Sequence, residues 1–265
     1  MSLSELHPIL FEARVAELRL ERRIADRLGR VAFAREQITE TLPIVVVRHA
    51  SLLRRRLGNA DPRLQETKIT NLRLAAAPLD GLVLRPGTVF SFWDRVGDPS
   101  ARRGFVDGLV LVRGEVQAAT GGGLCQLSNL LYWMALHAPL EVVEHHHHGF
   151  DAFPDDHRVL PFGSGATVFY NYGDLRLVNQ TDMLVQLRVW LTPTHLHGEI
   201  RSDREWPLAY HVVERGHRFV RGPGRSPLPR ERVVAQDVGR DTGETLREEL
   251  VIVNHAEVKY PLDEP

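Results

Sequence analysis

The stretch GGGLCQLSNLLYWMAL, residues 121–136, constrains this chain more than any other. Three glycines run into Cys125, and an apolar, helix-like segment follows. Leu127, Leu130, Leu131, Met134 and Leu136 recur at helical spacing and call for burial. A helix of that kind belongs at the centre of a fold, with the flanking segments covering it.

The flanking segments predict an α+β fold: an N-terminal helical region, then a mostly antiparallel sheet holding one central, cysteine-bearing helix. Over residues 9–37, Leu10, Val15, Leu18, Ile24, Leu28 and Val31 can share much of one helix face. IVVVRHASLLRRR (44–56) ends in three arginines, which suits a second helix C-terminus; as a charge run it reads as solvated, with a local anion patch as the alternative. TNLRLAAAPLDG (70–81) predicts a short helix capped by Thr70 and stopped by Gly81. Residues 108–119 read as a hairpin turning near Arg113-Gly114. After the central helix, LEVVEHHHH, ATVFYNY, DLRLVNQT, VQLRVWLT and HLHGEI carry strand patterns, the last two as antiparallel neighbours. RGPGRSPLPRER (221–232) reads as an exposed loop or linker, and ETLREELVIVNHAEV as a final strand. The expected division is a helical region over 1–66, a core domain over 67–202 and a β-rich extension over 203–265.

Composition removes several function classes. A net charge of -1 gives no global electrostatic case for nucleic acid or an anionic membrane. Nearly all the positive charge is arginine, Lys68 and Lys259 being the only lysines. A single cysteine excludes an intramolecular disulfide and a Cys-rich zinc module. The first residues carry charges where a signal peptide needs an apolar run, and no stretch approaches the roughly 18 apolar residues of a membrane span. The expected location is the cytoplasm, where a lone thiol stays reduced. No cofactor is implied, and no feature speaks to oligomeric state.

The glycines before Cys125 let the backbone turn sharply and aim N–H groups at one point, a nest suited to anions. A helix starting near Cys125 adds unpaired amides and partial positive charge beside the sulfur. Such surroundings favour the thiolate, the nucleophilic form, and the same amides suit a developing oxyanion. The opposing reading is a buried cysteine acting as a small hydrophobe. A nucleophile needs a base, and EHHHHGFDAFPDDH (144–157) offers histidines. On a strand, His146 and His148 would share one face, His145 and His147 the other. His146, His148 and Asp151 form a weaker alternative as a metal site, because their spacing matches no stringent metal pattern.

PGTVFSFWDRVGDPSARRGF, GGGLCQLSNLLYWMALHAPLEVVEHHHH and LPFGSGATVFYNYGDLRLVNQT, in that order, resemble the VanW family, named for an accessory protein of vancomycin-resistance gene clusters. The resemblance covers roughly residues 70–200. It implies a link to the bacterial cell envelope and to glycopeptide resistance. Gly121, Gly122, Gly123, Cys125 and Gln126 match the family's glycine-Cys-Gln core. His148 matches the histidine closing its Glu-x-x-x-His segment from Glu144; Gly163, Ala166, Thr167 and Val168, then Asp174 and Asn179, match its later strands. Gly165 stands where many longer relatives carry an acid, which leaves Asp174 as the candidate for orienting a histidine.

Two main readings follow. In the first, the chain is a thiol hydrolase or transferase for a peptide-like or cell-wall-related substrate. Cys125 attacks, His148 or His146 moves the proton, Asp174 orients the ring, and Gly122, Gly123 and the Cys125 amide hold the oxyanion. Gly121, Gln126, Ser91 and Trp93 complete the substrate side. In the second, the glycine nest and the aromatics Phe90, Phe92, Trp93 and Tyr132 bind a carboxylate- or phosphate-bearing envelope ligand without chemistry.

Overall fold

The computed structural model describes residues 8–54, 61–112, 115–147, 150–151, 165–220, 228–254 and 257–258. The fold is α+β, as predicted, with four helices among the described residues: α1 (Pro8–Leu28), α2 (Arg63–Ala76), α3 (Phe92–Val96) and α4 (Cys125–Ala135). A five-stranded antiparallel sheet runs in the order Glu36–Gln37, Leu82–Leu84, Val185–Leu191, His195–Ser202, Ile44–Leu52. A three-stranded antiparallel sheet sets Arg176–Val178 between Val89–Ser91 and Glu141–Glu144. Helix α4 lies against the larger sheet: a side chain at Gly198 would meet Met134 and Leu130. Its leucines join Leu72, Phe90, Phe92, Leu187 and Ile200 in one core.

Several elements follow from local chemistry. Val185–Leu191 and His195–Ser202 pair antiparallel, as the alternation predicts. The predicted hairpin forms from Asp107–Val112 and Glu115–Thr120, while its turn residues lie outside the described ones. The segment after residue 203 forms an antiparallel sheet of Leu208–Val220, Leu228–Gly239 and Thr245–Asn254, the middle strand starting inside the segment read as a loop.

Three expectations are corrected. The described part of the 44–56 segment does not form a helix: Ile44–Leu52 is an edge strand paired with His195–Ser202, and the last two arginines lie outside the described residues. The run Ile44-Val45-Val46-Val47 is β-branched, so its side chains fit a pleated surface better than a helix turn. Helix α2 begins well before Thr70. Pro62 suits its start, and the Asp61 carboxylate accepts from the Arg63 amide at 2.9 Å. The apolar face expected on α1 is largely unburied: Val15 is buried, but Ile24 and Leu28 are 49% and 77% exposed.

Polar clamps hold α1 instead. Arg22 grips the Glu144 carboxylate at 2.5 and 2.6 Å, and Arg176 grips Asp26 at 2.6 and 2.8 Å. Arg19 donates to the Tyr170 carbonyl at 2.8 Å and lies over its ring. No helix among the described residues is long and apolar enough to cross a membrane.

Candidate functional site

Helix α4 begins at Cys125, and the two turns before it are fixed by close contacts. Gly122 passes so near Gly108 that a Cβ at either would lie 2.4 Å or less from the other's backbone. Asn71, fully buried on α2, locks this crossing. Its amide donates to the Gly122 and Val106 carbonyls, both at 2.9 Å, and its oxygen accepts from the Val106 amide. Gly123 has φ +95 and rests on the stem of buried Lys68, whose Nζ donates to Gln65 at 2.6 Å. These glycines are thus required by left-handed backbone and by absent room.

The amides divide unequally. Gly121 donates to the Val106 carbonyl at 3.0 Å and Gly122 to the Ala119 carbonyl at 2.9 Å. The Gly122 N–H is therefore spent on the turn. The amides of Gly123, Leu124 and Cys125 donate to no backbone carbonyl among the described residues, as expected of a helix's first turn.

Cys125, Ser128 and Asn129 stand at i, i+3 and i+4, so they share one face of the helix. That face holds the segment at Ala166 from both sides: Ser128 donates to its carbonyl at 2.6 Å, and Asn129 accepts from its amide at 2.6 Å. The next residue, Thr167, thereby sets its hydroxyl 3.3 Å from the half-buried Cys125 sulfur. The Thr167 amide donates to the His146 carbonyl at 2.7 Å, which brings the histidine strand beside the helix mouth. Gln126 donates to Ser51 at 2.9 Å and to the Leu52 carbonyl at 2.8 Å. Its own oxygen is buried without a partner among the described residues. A buried, unmade acceptor costs about 1–3 kcal/mol.

Among the described residues the thiol meets a hydroxyl and no imidazole nitrogen. The acid on His146 is Glu144, whose oxygen lies 3.0 Å from Nε2. Burial pushes the Glu144 carboxyl up, but Arg22, His146 and the Asp174 amide outweigh it and hold it below the usual range. Asp174 is fully buried and committed elsewhere. It accepts from the Ser91 hydroxyl at 2.5 Å, the Trp93 amide at 3.1 Å and Arg176 Nε at 3.0 Å. Burial pushes its carboxyl up against the opposing pull of Ser91 and Arg176. His145 stacks on Tyr132 of α4 with ring centroids 4.8 Å apart, and burial lowers its pKa, with His147 and His146 adding to the shift.

The structure thus brings Gly123, Cys125, Gln126 and the backbone of His146 to one mouth. Ser91, Trp93 and Asp174 form a second, buried network, and Phe90, Phe92 and Tyr132 pack in the core. His148 and the Asp151 side chain lie outside the described residues, and no metal-ligating cluster occurs among the described ones. Sequence reasoning passed over Asn71 and Ser128 as site residues and weighed Thr167 only as a family match. A polar side chain inside an apolar helix pattern was the available signal for the first two.

Comparison with known proteins places these features in one group. No solved structure matches the chain. It is 30% identical over 262 residues, 99% of its length and 95% of the relative's, to the vancomycin B-type resistance protein VanW of Enterococcus faecalis. It is 30% identical over 118 residues, 44% of the chain and 37% of the relative, to the uncharacterized protein YoaR of Bacillus subtilis. The VanW like protein family model matches residues 67–201, the span that holds the glycine turn, α4 and Thr167. The chain belongs to the VanW family.

Proposed function

We propose that the protein is a cysteine-dependent acyl hydrolase or transferase acting on a peptide-like, cell-wall-related substrate. The observation carrying this reading is the half-buried Cys125 sulfur at the first residue of α4, among amides that no backbone carbonyl uses. The family link to vancomycin resistance supports the substrate class.

In this reading the Cys125 thiol gives its proton to the imidazole of His148 or His146. Its sulfur then attacks the acyl carbon, forming C–S as the carbonyl π pair moves onto oxygen. The Gly123 and Cys125 amides hold that oxyanion. Collapse breaks the bond to the leaving amine, which takes the proton from the imidazole. Water or an acceptor amine then attacks the thioester, and the C–S bond breaks to regenerate the thiol. Glu144 holds His146 in one orientation, the role assigned to Asp174 from sequence. A free thiol nucleophile has to be kept reduced, which in this reading places the reaction in a compartment such as the cytoplasm.

The test is mass spectrometry of the protein after incubation with muropeptides. An acyl adduct on Cys125 that is absent from Cys125→Ala is the expected result. No adduct, with product formation intact in Cys125→Ala, would remove the reading. A second reading, a binding module for a carboxylate-bearing ligand, is favoured by the Thr167 hydroxyl as the sulfur's partner. It predicts muropeptide binding that survives Cys125→Ser, with no turnover.

A further inference from the structure

A cleft of about 470 Å³ opens at the C-terminal end of α1, and it shares no residue with the mouth at Cys125. Four arginines reach it: Arg23, Arg27, Arg30 and Arg176. The two carboxylates on its wall are already matched. Asp26 is gripped by Arg176 at 2.6 and 2.8 Å, and Asp94 pairs with Arg35 at 2.7 Å. Arg23, Arg27 and Arg30 pair with no carboxylate among the described residues. Three guanidinium groups with no carboxylate partner among the described residues therefore border one concave surface.

Helix-end electrostatics explain this only in part. A cation in the last helical turn is favourable, which accounts for Arg27. It does not account for Arg30. The chain leaves α1 with the Val31 amide bonded back to the Asp26 carbonyl at 3.3 Å, and Arg30 takes the left-handed position with φ +48. Glycine is the usual residue there, because a side chain costs energy in that conformation. Gly29 stands one position too early to fill it. An arginine kept at a strained position, aimed into a cleft with two others, points to a use for its charge.

We propose that this cleft binds a phosphate-bearing anion, a phosphomonoester or diphosphate, through Arg23, Arg27 and Arg30, with Asn171 on the same wall. The planar guanidinium fork matches two phosphate oxygens at once, and three such forks suit a group carrying two or three negative charges. The proposal is independent of chemistry at Cys125.

Calorimetry with sodium pyrophosphate at low ionic strength tests it for a soluble ligand. Co-sedimentation with phosphatidic acid in phosphatidylcholine vesicles tests the same chemistry on a lipid headgroup. Saturable binding of either probe is expected, weakened about tenfold or more by Arg27→Gln with Arg30→Gly and reduced by Arg23→Gln alone. Arg30→Gly suits the backbone, so an unchanged melting temperature shows that folding is intact. Cys125→Ala should bind as the wild type does, separating this site from the acyl-transfer reading. Removing the same charge at exposed Arg73 and Arg102 controls for general attraction. Failure of both probes to bind, or equal losses in the cleft and control variants, would overturn the proposal.

Discussion

Helices α1 and α4 meet the same molecule in opposite ways. Helix α4 is held by hydrocarbon: Leu127, Leu130, Leu131 and Met134 are buried in the core, while Ser128 and Asn129 hold Ala166 and Gln126 holds Ser51 and Leu52. Helix α1 leaves Leu10, Leu20, Ile24 and Leu28 at the surface and is fastened by arginine–carboxylate clamps, Arg22 to Glu144 and Asp26 to Arg176. The difference teaches what each helix positions. The apolar helix fixes the thiol through its buried leucines. The clamped helix reaches through Glu144 to His146, and through Arg176 to Asp174.

The comparison can be broken at its strongest points first. Arg176→Ala should cost about 3–5 kcal/mol in urea unfolding, because it strands the fully buried Asp174 carboxylate. Leu131→Ala in α4 should cost about 2–5 kcal/mol from lost burial plus the cavity left behind. Glu144→Gln should cost about 1–3 kcal/mol, since Arg22 and His146 lose their anionic partner. Leu28→Gln on α1 should fall within about ±0.5 kcal/mol, as Leu28 touches water already. A Leu28 effect approaching that of Leu131 would mean that α1 buries its apolar face after all.

Acid sharpens the same contrast. The folded Glu144 carboxyl sits below its ordinary value of 4.5, so the folded state binds its proton less readily than the unfolded state does. Its contribution is complete above that value and fades as pH falls through the lower folded one. His145 behaves alike nearer neutrality. Burial lowers it from 6.5, so stability declines as pH drops below 6.5 and the unfolded chain takes the proton. Glu144→Gln should flatten the unfolding profile below 4.5, and His145→Phe should flatten it just below 6.5. Profiles unchanged by either substitution would contradict these assignments.

How much was legible in the sequence depended on whether local pattern or distant partners decided the outcome. The central helix, the hairpin and the Val185–Leu191/His195–Ser202 pair follow periodicity, and periodicity shows them. The 44–56 segment misled because the arginines that end it mimic a helix end, while its β-branched start favours the strand Ile44–Leu52. The α1 stripe misled because helical spacing of apolar residues says nothing about whether a partner surface is apolar. The glycine turn before Cys125 was legible, but the loss of the Gly122 amide was not, since Ala119 sits on the preceding strand. Thr167 and Asn71 reach the mouth from 42 and 51 residues away, distances that no local pattern encodes.

The most direct measurement is the rate at which iodoacetamide modifies Cys125 in the native protein at pH 7, against a free model thiol. The account predicts modification about tenfold or more faster than the model thiol, because the thiolate is the reacting form, and suppression by a bound muropeptide. Modification slower than the model thiol, becoming normal only on unfolding, would show a packed, inert sulfur and contradict the assignment of Cys125 as nucleophile.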